Sequence, residues 1–289
     1  MDRRYFLGMT GAGIAFSALG VLKKLADSGT SKKMPVLFVG HGSPMNGIED
    51  NEFSLYWRKL ATEIGKPKAV LCISAHWLTS GTHITAMDHP KTIHDFGGFP
   101  KALFDVQYPA PGDPALAKET SELITSTQVG LDHEWGLDHG TWSIVRHMYQ
   151  DADVPVLQLS IDYGKSARYH YELAKQLQAL REKGVLIIGS GNMVHNLGMV
   201  AWDRLNESYG FDWALEINDL FKKKIEENDH RALIQYENLH SAAKLAIPTP
   251  DHYLPLIYTL GLKNEKDAIR FFNDKPMAGS LTMTSVQFG

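Results

Sequence analysis

Residues 69–77 read AVLCISAHW. A short apolar run ending in polar residues reads as a strand buried on both faces. The same reading applies twice more. Residues 35–40, PVLFVG, run into His41-Gly42-Ser43-Pro44, and residues 185–188, VLII, run into Gly189-Ser190-Gly191-Asn192 and on to His195. Two further strands are read at Val154–Ile161 and Leu281–Val286. Helices are read at Glu52–Ile64, where Phe53, Tyr56, Trp57 and Leu60 share a face, and at Ala115–Thr125, Thr141–Tyr149, Ala167–Glu182 and Tyr253–Leu260. Trp213, Ile217, Leu220, Phe221 and Ile225 recur at helical spacing and predict a long amphipathic helix. Strands alternating with helices give a single α/β domain with a largely parallel central sheet flanked by helices.

Composition narrows the chemistry. The chain has 289 residues, 44% of them hydrophobic and 21% charged, which is ordinary for a globular protein. Its formal net charge is −4; without residues 1–33, which hold six Lys/Arg and two Asp, it is −8. An acidic domain argues against a nucleic-acid binder, which needs a basic face to displace phosphate counterions. The single cysteine, Cys72, excludes intrachain disulfides and cysteine-held zinc or iron–sulfur sites. It lies inside an apolar strand and reads as a structural residue. Any metal must be held by carboxylates or by some of the 13 histidines.

The N-terminus reads separately. Arg3-Arg4-Tyr5-Phe6-Leu7 precedes an uncharged, glycine-rich stretch that ends at Lys23-Lys24. This resembles a twin-arginine export signal. Residues 1–33 are accordingly taken as signal and linker, and 34–289 as the working domain. The expected location is periplasmic, or membrane-tethered where the signal stays uncleaved, with the twin-arginine export machinery as a partner. A transmembrane helix is the alternative for the same stretch.

The histidines are not scattered. His41, His76 and His195 each follow an apolar strand, and open α/β sheets bind ligands at the carboxyl ends of their strands. One histidine after a strand is usually structural; three at equivalent positions point to a site. His252, in Pro248-Thr249-Pro250-Asp251-His252-Tyr253, is a fourth candidate, or part of a helix-capping turn. His139, in Asp138-His139-Gly140, precedes a helix and could act as acid or base. A long loop, Asp88–Pro114, is rich in proline and aromatics and reads as an ordered lid carrying His94, Phe96 and Phe99. His94 reads equally as a partner of Asp95 and as a substrate contact. The remaining histidines lack comparable context and read as surface or packing residues. Gly189–Asn192 could form an anion nest, but it matches neither a dinucleotide fingerprint nor a P-loop.

Seven stretches together resemble the 4,5-DOPA extradiol dioxygenase family of class III, LigB-like ring-cleaving dioxygenases. They are GHGSPMN (40–46), SAHW (74–77), HDFGGFP (94–100), YPAPG (108–112), DHG (138–140), GNMVHNL (191–197) and PTPDHYLP (248–255). The resemblance runs from Met34 to Gly289. It implies a metal site of His41, His76, His195 and His252 holding one Fe(II) or Zn(II). It gives His195 a second possible role, in proton transfer, beside His139. It implies a small catechol and O2 as substrates, with His94, Phe96 and Phe99 closing over the ring. Better-known class III enzymes use two histidines and a carboxylate; here His252 stands where the carboxylate is expected. The expected state is a monomer or small homo-oligomer. Two rivals follow from an all-imidazole site: a zinc metallohydrolase using a His-bound water, and a non-catalytic metal- or catechol-binding envelope protein.

Overall fold

The computed structural model describes residues 33–205 and 207–289. The twin-arginine stretch, within residues 1–32, lies outside the described residues. In chain order, β1 (Val36–Gly40) leads to α1 (Glu52–Ile64), β2 (Ala69–Ser74), β3 (Leu78–Thr79) and β4 (Thr82–Thr85). Then come α2 (Lys101–Phe104), α3 (Pro114–Leu123), β5 (Val129–Asp132), α4 (His139–Met148), β6 (Val156–Gln158) and β7 (Ile161–Asp162). The second half holds α5 (Ala167–Lys175), α6 (Gln178–Glu182), β8 (Val185–Gly191), α7 (Asp212–Glu226), α8 (His230–Ile234), α9 (Ala243–Ala246) and α10 (Leu254–Leu262). It closes with β9 (Ile269–Phe272), β10 (Pro276–Met277), β11 (Leu281–Thr282) and β12 (Ser285–Phe288).

Six strands form the central sheet, in the order β6-β2-β8-β1-β12-β9. The first four run parallel, and β12 and β9 add an antiparallel edge. Successive strand residues point to opposite faces. Phe38, Leu71 and Ile187 thus join a core covered by α5, α7 and α10. Leu37, Val39, Cys72 and Ile188 join another, under Trp57 and Leu60 of α1 and Trp142 and Val145 of α4. α10 is buried along its whole length, so it shows no polar stripe.

The register decides where the site falls. Gly40 pairs with Gly191, and Ser74 with Ser190, so β1, β2 and β8 end level. His41, His76 and the segment leading to His195 therefore leave the same edge. Among the described residues no helix is long and apolar enough to cross a membrane.

Several elements differ from the sequence reading. β8 continues past Ile188 to Gly191, because its glycines admit a neighbouring backbone. A Cβ on Gly189 would lie 2.5 Å from Pro255 O, and one on Gly191 2.1 Å from His252 O. The run 154–161 divides into β6, in the main sheet, and β7, which pairs with β3. The last run divides into β11, paired with β10, and β12, paired with β1 and β9. The helix read over 167–182 tightens at Gln176 and Leu177 into i→i+3 bonds and separates into α5 and α6.

Candidate metal centre

His41 leaves β1 with its backbone still in the ladder, its N–H donating to Gly191 O at 3.2 Å. His76 lies two residues beyond Ser74, the last residue of β2. His139 is the first residue of α4, whose N-cap Asp138 accepts from Thr141 N. His252 is drawn to the same edge because its carbonyl accepts from Asn192 N at 2.9 Å. One ring nitrogen from each of His41, His76 and His139 lies within 4.8 Å of the others. The His252 ring centre is 5.2 Å from that of His41 and 5.0 Å from that of His76. His195 meets the group through His252, stacking on it at 3.6 Å with ring planes 5° apart. The structure thus gathers His41, His76, His139 and His252, with His195 behind His252.

Hydrogen bonds fix which nitrogen faces inward. Ser190 Oγ donates to Gly140 O at 2.6 Å, so in its 3.0 Å contact with His41 the Nδ1–H must be the donor. Asp95 Oδ2 accepts from His139 Nδ1 at 2.9 Å and lies 3.4 Å from His76 Nδ1. His252 Nδ1 donates to Asp251 Oδ2. The Nδ1 atoms of His41, His139 and His252 are engaged, so their Nε2 atoms carry lone pairs, while His76 Nδ1 only approaches Asp95. Carboxylates and hydroxyls behind metal-binding imidazoles orient them in this way.

A cation fits this donor set. The Nε2 atoms of His41 and His76 stand 3.1 Å apart. His41 Nε2 is a lone pair, so without metal the His76 proton sits on Nε2 between the two rings; moved to Nδ1, toward Asp95, it leaves two opposed lone pairs that an ion would bridge. Two imidazoles bound tetrahedrally at metal–nitrogen lengths of about 2.0–2.1 Å would be about 3.3 Å apart. His41, His76 and His195 are also held neutral, as metal-binding imidazoles must be. Burial drives the His41 pKa well below its ordinary value, and the neighbouring imidazoles push the same way. The His76 pKa is lowered by burial and by His139, with Asp95 opposing. His195 is pushed down to about 3 by burial and by His252.

Behind the imidazoles lies a buried polar layer. Asp138 is fully buried and accepts from Ser74 Oγ at 2.7 Å and Gln158 Nε2 at 2.7 Å. Burial and the nearby Asp95 raise its pKa, against the hydrogen bonds from Gln158 and Ser74. Gly140 leaves no room for a side chain: a Cβ would lie 2.5 Å from Ser74 Oγ and 2.8 Å from His76 Cδ2.

The aromatic loop covers this edge. Phe96 meets His139 edge-on at 5.6 Å, and Phe99 packs 5.6 Å from Phe96. His94 does not pair with Asp95; its Nε2 contacts Val106 O at 3.0 Å and its ring lies 5.8 Å from Phe96. Sequence reasoning missed Asp95, Ser190 and Asp138 as parts of the site. Asp95 carried a signal only as the neighbour of His94, and Ser190 was read only within the Gly189–Asn192 stretch that could form an anion nest.

The chain is similar to known proteins over most of its length. The family described as "Catalytic LigB subunit of aromatic ring-opening dioxygenase" matches residues 34–283. A 4,5-DOPA dioxygenase extradiol of Escherichia coli (strain K12) is 46% identical over 264 residues, 90% of this chain and 96% of the relative. One of Beta vulgaris is 34% identical over 261 residues, 87% of this chain and 95% of the relative. The crystal structure of an uncharacterized Escherichia coli K12 protein superposes with a TM-score of 0.76 at 41% identity. That match covers 89% of this chain and all (100%) of the other.

Proposed function

The chain belongs to the LigB family of aromatic ring-opening dioxygenases, and we propose that its own reaction is extradiol cleavage of a DOPA-like catechol. The ring opens beside the two hydroxyls, both atoms of O2 enter the product, and a muconic semialdehyde results. The observation that carries this reading is the group of convergent imidazoles beneath a loop of aromatic side chains.

His41 and His76 hold the metal in this reading, and His252 completes the set. His139 is left to take a catechol proton on Nε2, because Asp95 at its Nδ1 stabilises the cation that forms. His195, stacked on His252 and held neutral, keeps that ring in place. Fe(II) bound here would supply redox chemistry toward O2 and a positive charge for the catechol oxygens. Phe96 and Phe99 pack against the ring and exclude water, which strengthens each charge interaction inside. An all-imidazole set also suits zinc, so the identity of the metal belongs to the test.

The test is anaerobic loading with Fe(II), then DOPA or another catechol, then O2. The expected result is a yellow ring-fission product with one O2 consumed per ring, and no product from the Zn(II)-loaded protein. Fully iron-loaded protein that opens no catechol ring overturns the proposal; hydrolytic activity supported by Zn(II) without O2 favours the hydrolase. Export through the twin-arginine signal is proposed on Arg3-Arg4 alone. Replacing both by lysine is expected to retain the protein in the cytoplasm.

A further inference from the structure

Asp95 belongs to the aromatic loop rather than to the sheet edge that carries the histidines. The loop is pinned upstream, where Ile93 N donates to Leu137 O at 2.7 Å and Ile93 O accepts from Trp142 Nε1 at 2.8 Å. This sets the next residues beside the start of α4. Asp95 then reaches inward, its side chain only 17% exposed. Its Oδ1 accepts from the His139 backbone N–H and its Oδ2 from the His139 ring, both at 2.9 Å, while His76 Nδ1 lies 3.4 Å away. One loop carboxylate thus faces two of the imidazoles that meet at the centre. Beyond Phe96 come Gly97 and Gly98, where an added Cβ would touch nothing, and Gly98 sits at φ 78°. The stretch after the anchor is therefore free to take other conformations once the anchor lets go.

We propose that Asp95 couples occupancy of the histidine site to closure of the 94–100 loop over it. A cation held by His76 Nε2 would fix that ring with its proton on Nδ1 and polarise it, drawing the 3.4 Å approach to Asp95 into a hydrogen bond beside the one from His139. Asp95 in turn favours the His76 proton on Nδ1, which leaves Nε2 free to bind. Such coupling is reciprocal: what Asp95 gives to metal affinity, bound metal returns to loop order. Phe96, the next residue, is carried onto His139 by the same anchor, so the wall of the catechol pocket forms with the metal site. Asp95 is a positioning residue, and its proposed role rests on the metal-dependent reading above.

The experiment compares wild type, Asp95→Asn, Asp95→Glu and Asp105→Asn, the last an exposed loop carboxylate paired with Lys101. Zn(II) affinity is measured by chelator competition. Co(II) spectra report the ligand field, and chymotryptic cleavage after Phe96 reports loop closure. In wild type, saturating Zn(II) is expected to slow that cleavage at least about tenfold. Asp95→Asn is expected to lose about 10–100-fold in Zn(II) affinity, shift the Co(II) spectrum and show no metal-dependent protection of Phe96. Asp95→Glu should recover part of the affinity and protection, and Asp105→Asn should behave as wild type. Asp95→Asn that binds Zn(II) as wild type does, or is equally protected by it, overturns the coupling. Wild type that binds metal without protecting Phe96 overturns it too. Wild type that binds neither Zn(II) nor Co(II) overturns the metal-dependent reading itself.

Discussion

Replacing Ser190 by alanine removes two hydrogen bonds from one buried atom. Ser190 Oγ donates to Gly140 O at 2.6 Å and accepts from His41 Nδ1 at 3.0 Å. Leaving a buried donor or acceptor unpaired costs about 1–3 kcal/mol each. The gross loss is therefore about 2–6 kcal/mol. Part of it returns by a specific route. Without its acceptor, His41 can move its proton to Nε2, which stands 3.1 Å from His76 Nε2, and donate to that nitrogen once the His76 proton has moved to Nδ1, toward Asp95. This recovers about 1 kcal/mol, so the metal-free variant should lose about 1–5 kcal/mol. At about 2 °C per kcal/mol for a domain of this size, its Tm should fall about 2–10 °C. The gain has a consequence, since the new proton sits where the metal binds. Zn(II) affinity should therefore drop about 10–100-fold, the range typical for loss of a group supporting a metal-binding histidine. Thermal unfolding with and without Zn(II), chelator competition, and the 15N shifts of the His41 ring read the three effects. A variant with the expected fall in Tm but wild-type Zn(II) affinity and the original tautomer would refute the reasoning, reducing Ser190 to a packing residue.

The division of labour among the histidines is testable by metal content: His41→Ala should purify without metal, whereas His139→Ala should keep its metal and lose turnover by at least about 100-fold. Loss of metal from both would make His139 a ligand. Metal-free protein should lose stability as pH falls below about 6.5, because His41, His76 and His195 take up protons unfolded but resist them folded. Each such group contributes a slope of up to about 1.4 kcal/mol per pH unit, for His195 down to about pH 3, and urea titrations across pH 5–8 would show it. Arg181, almost fully buried, donates to Met34 O, Leu262 O and Asp267; Arg181→Ala should cost about 3–5 kcal/mol in denaturant unfolding. Cys72, fully buried in β2, should resist alkylation in the native protein and react only on unfolding.

The sequence revealed what local pattern encodes. The apolar runs of β1, β2 and β8 specified buried parallel strands, and the histidines after them specified a shared edge. Where two patterns competed, the local one misled. Gly189-Ser190-Gly191 looks like a turn, yet it is strand, because the carbonyls of Pro255 and His252 require glycine there. β4 and β5 were not read as strands, since THIT and VGLD alternate too weakly to mark a buried face. β9 was missed for a similar reason: it is an edge strand whose Arg270 faces solvent. At the site, four candidate imidazoles could be named in advance, and His139 was named for proton transfer. Its approach to His41 and His76 could not be read, because it enters from a helix start rather than a strand end. Asp95 and Ser190 act across long separations in sequence, and nothing in their immediate neighbours reports that.

The position of β1 between β8 and β12 has a further consequence, one of timing. The strand that delivers His41 is paired on one side with residues 185–191 and on the other with residues 285–288, both far downstream in sequence. Its sheet neighbours therefore exist only once residue 288 has been made, and contacts of such high sequence separation form slowly. His252 arrives equally late. A stretch that stops short of residue 252 lacks one of the four imidazoles and cannot assemble the whole cluster. A site built from all four imidazoles thus depends on pairing between distant stretches rather than on any local segment.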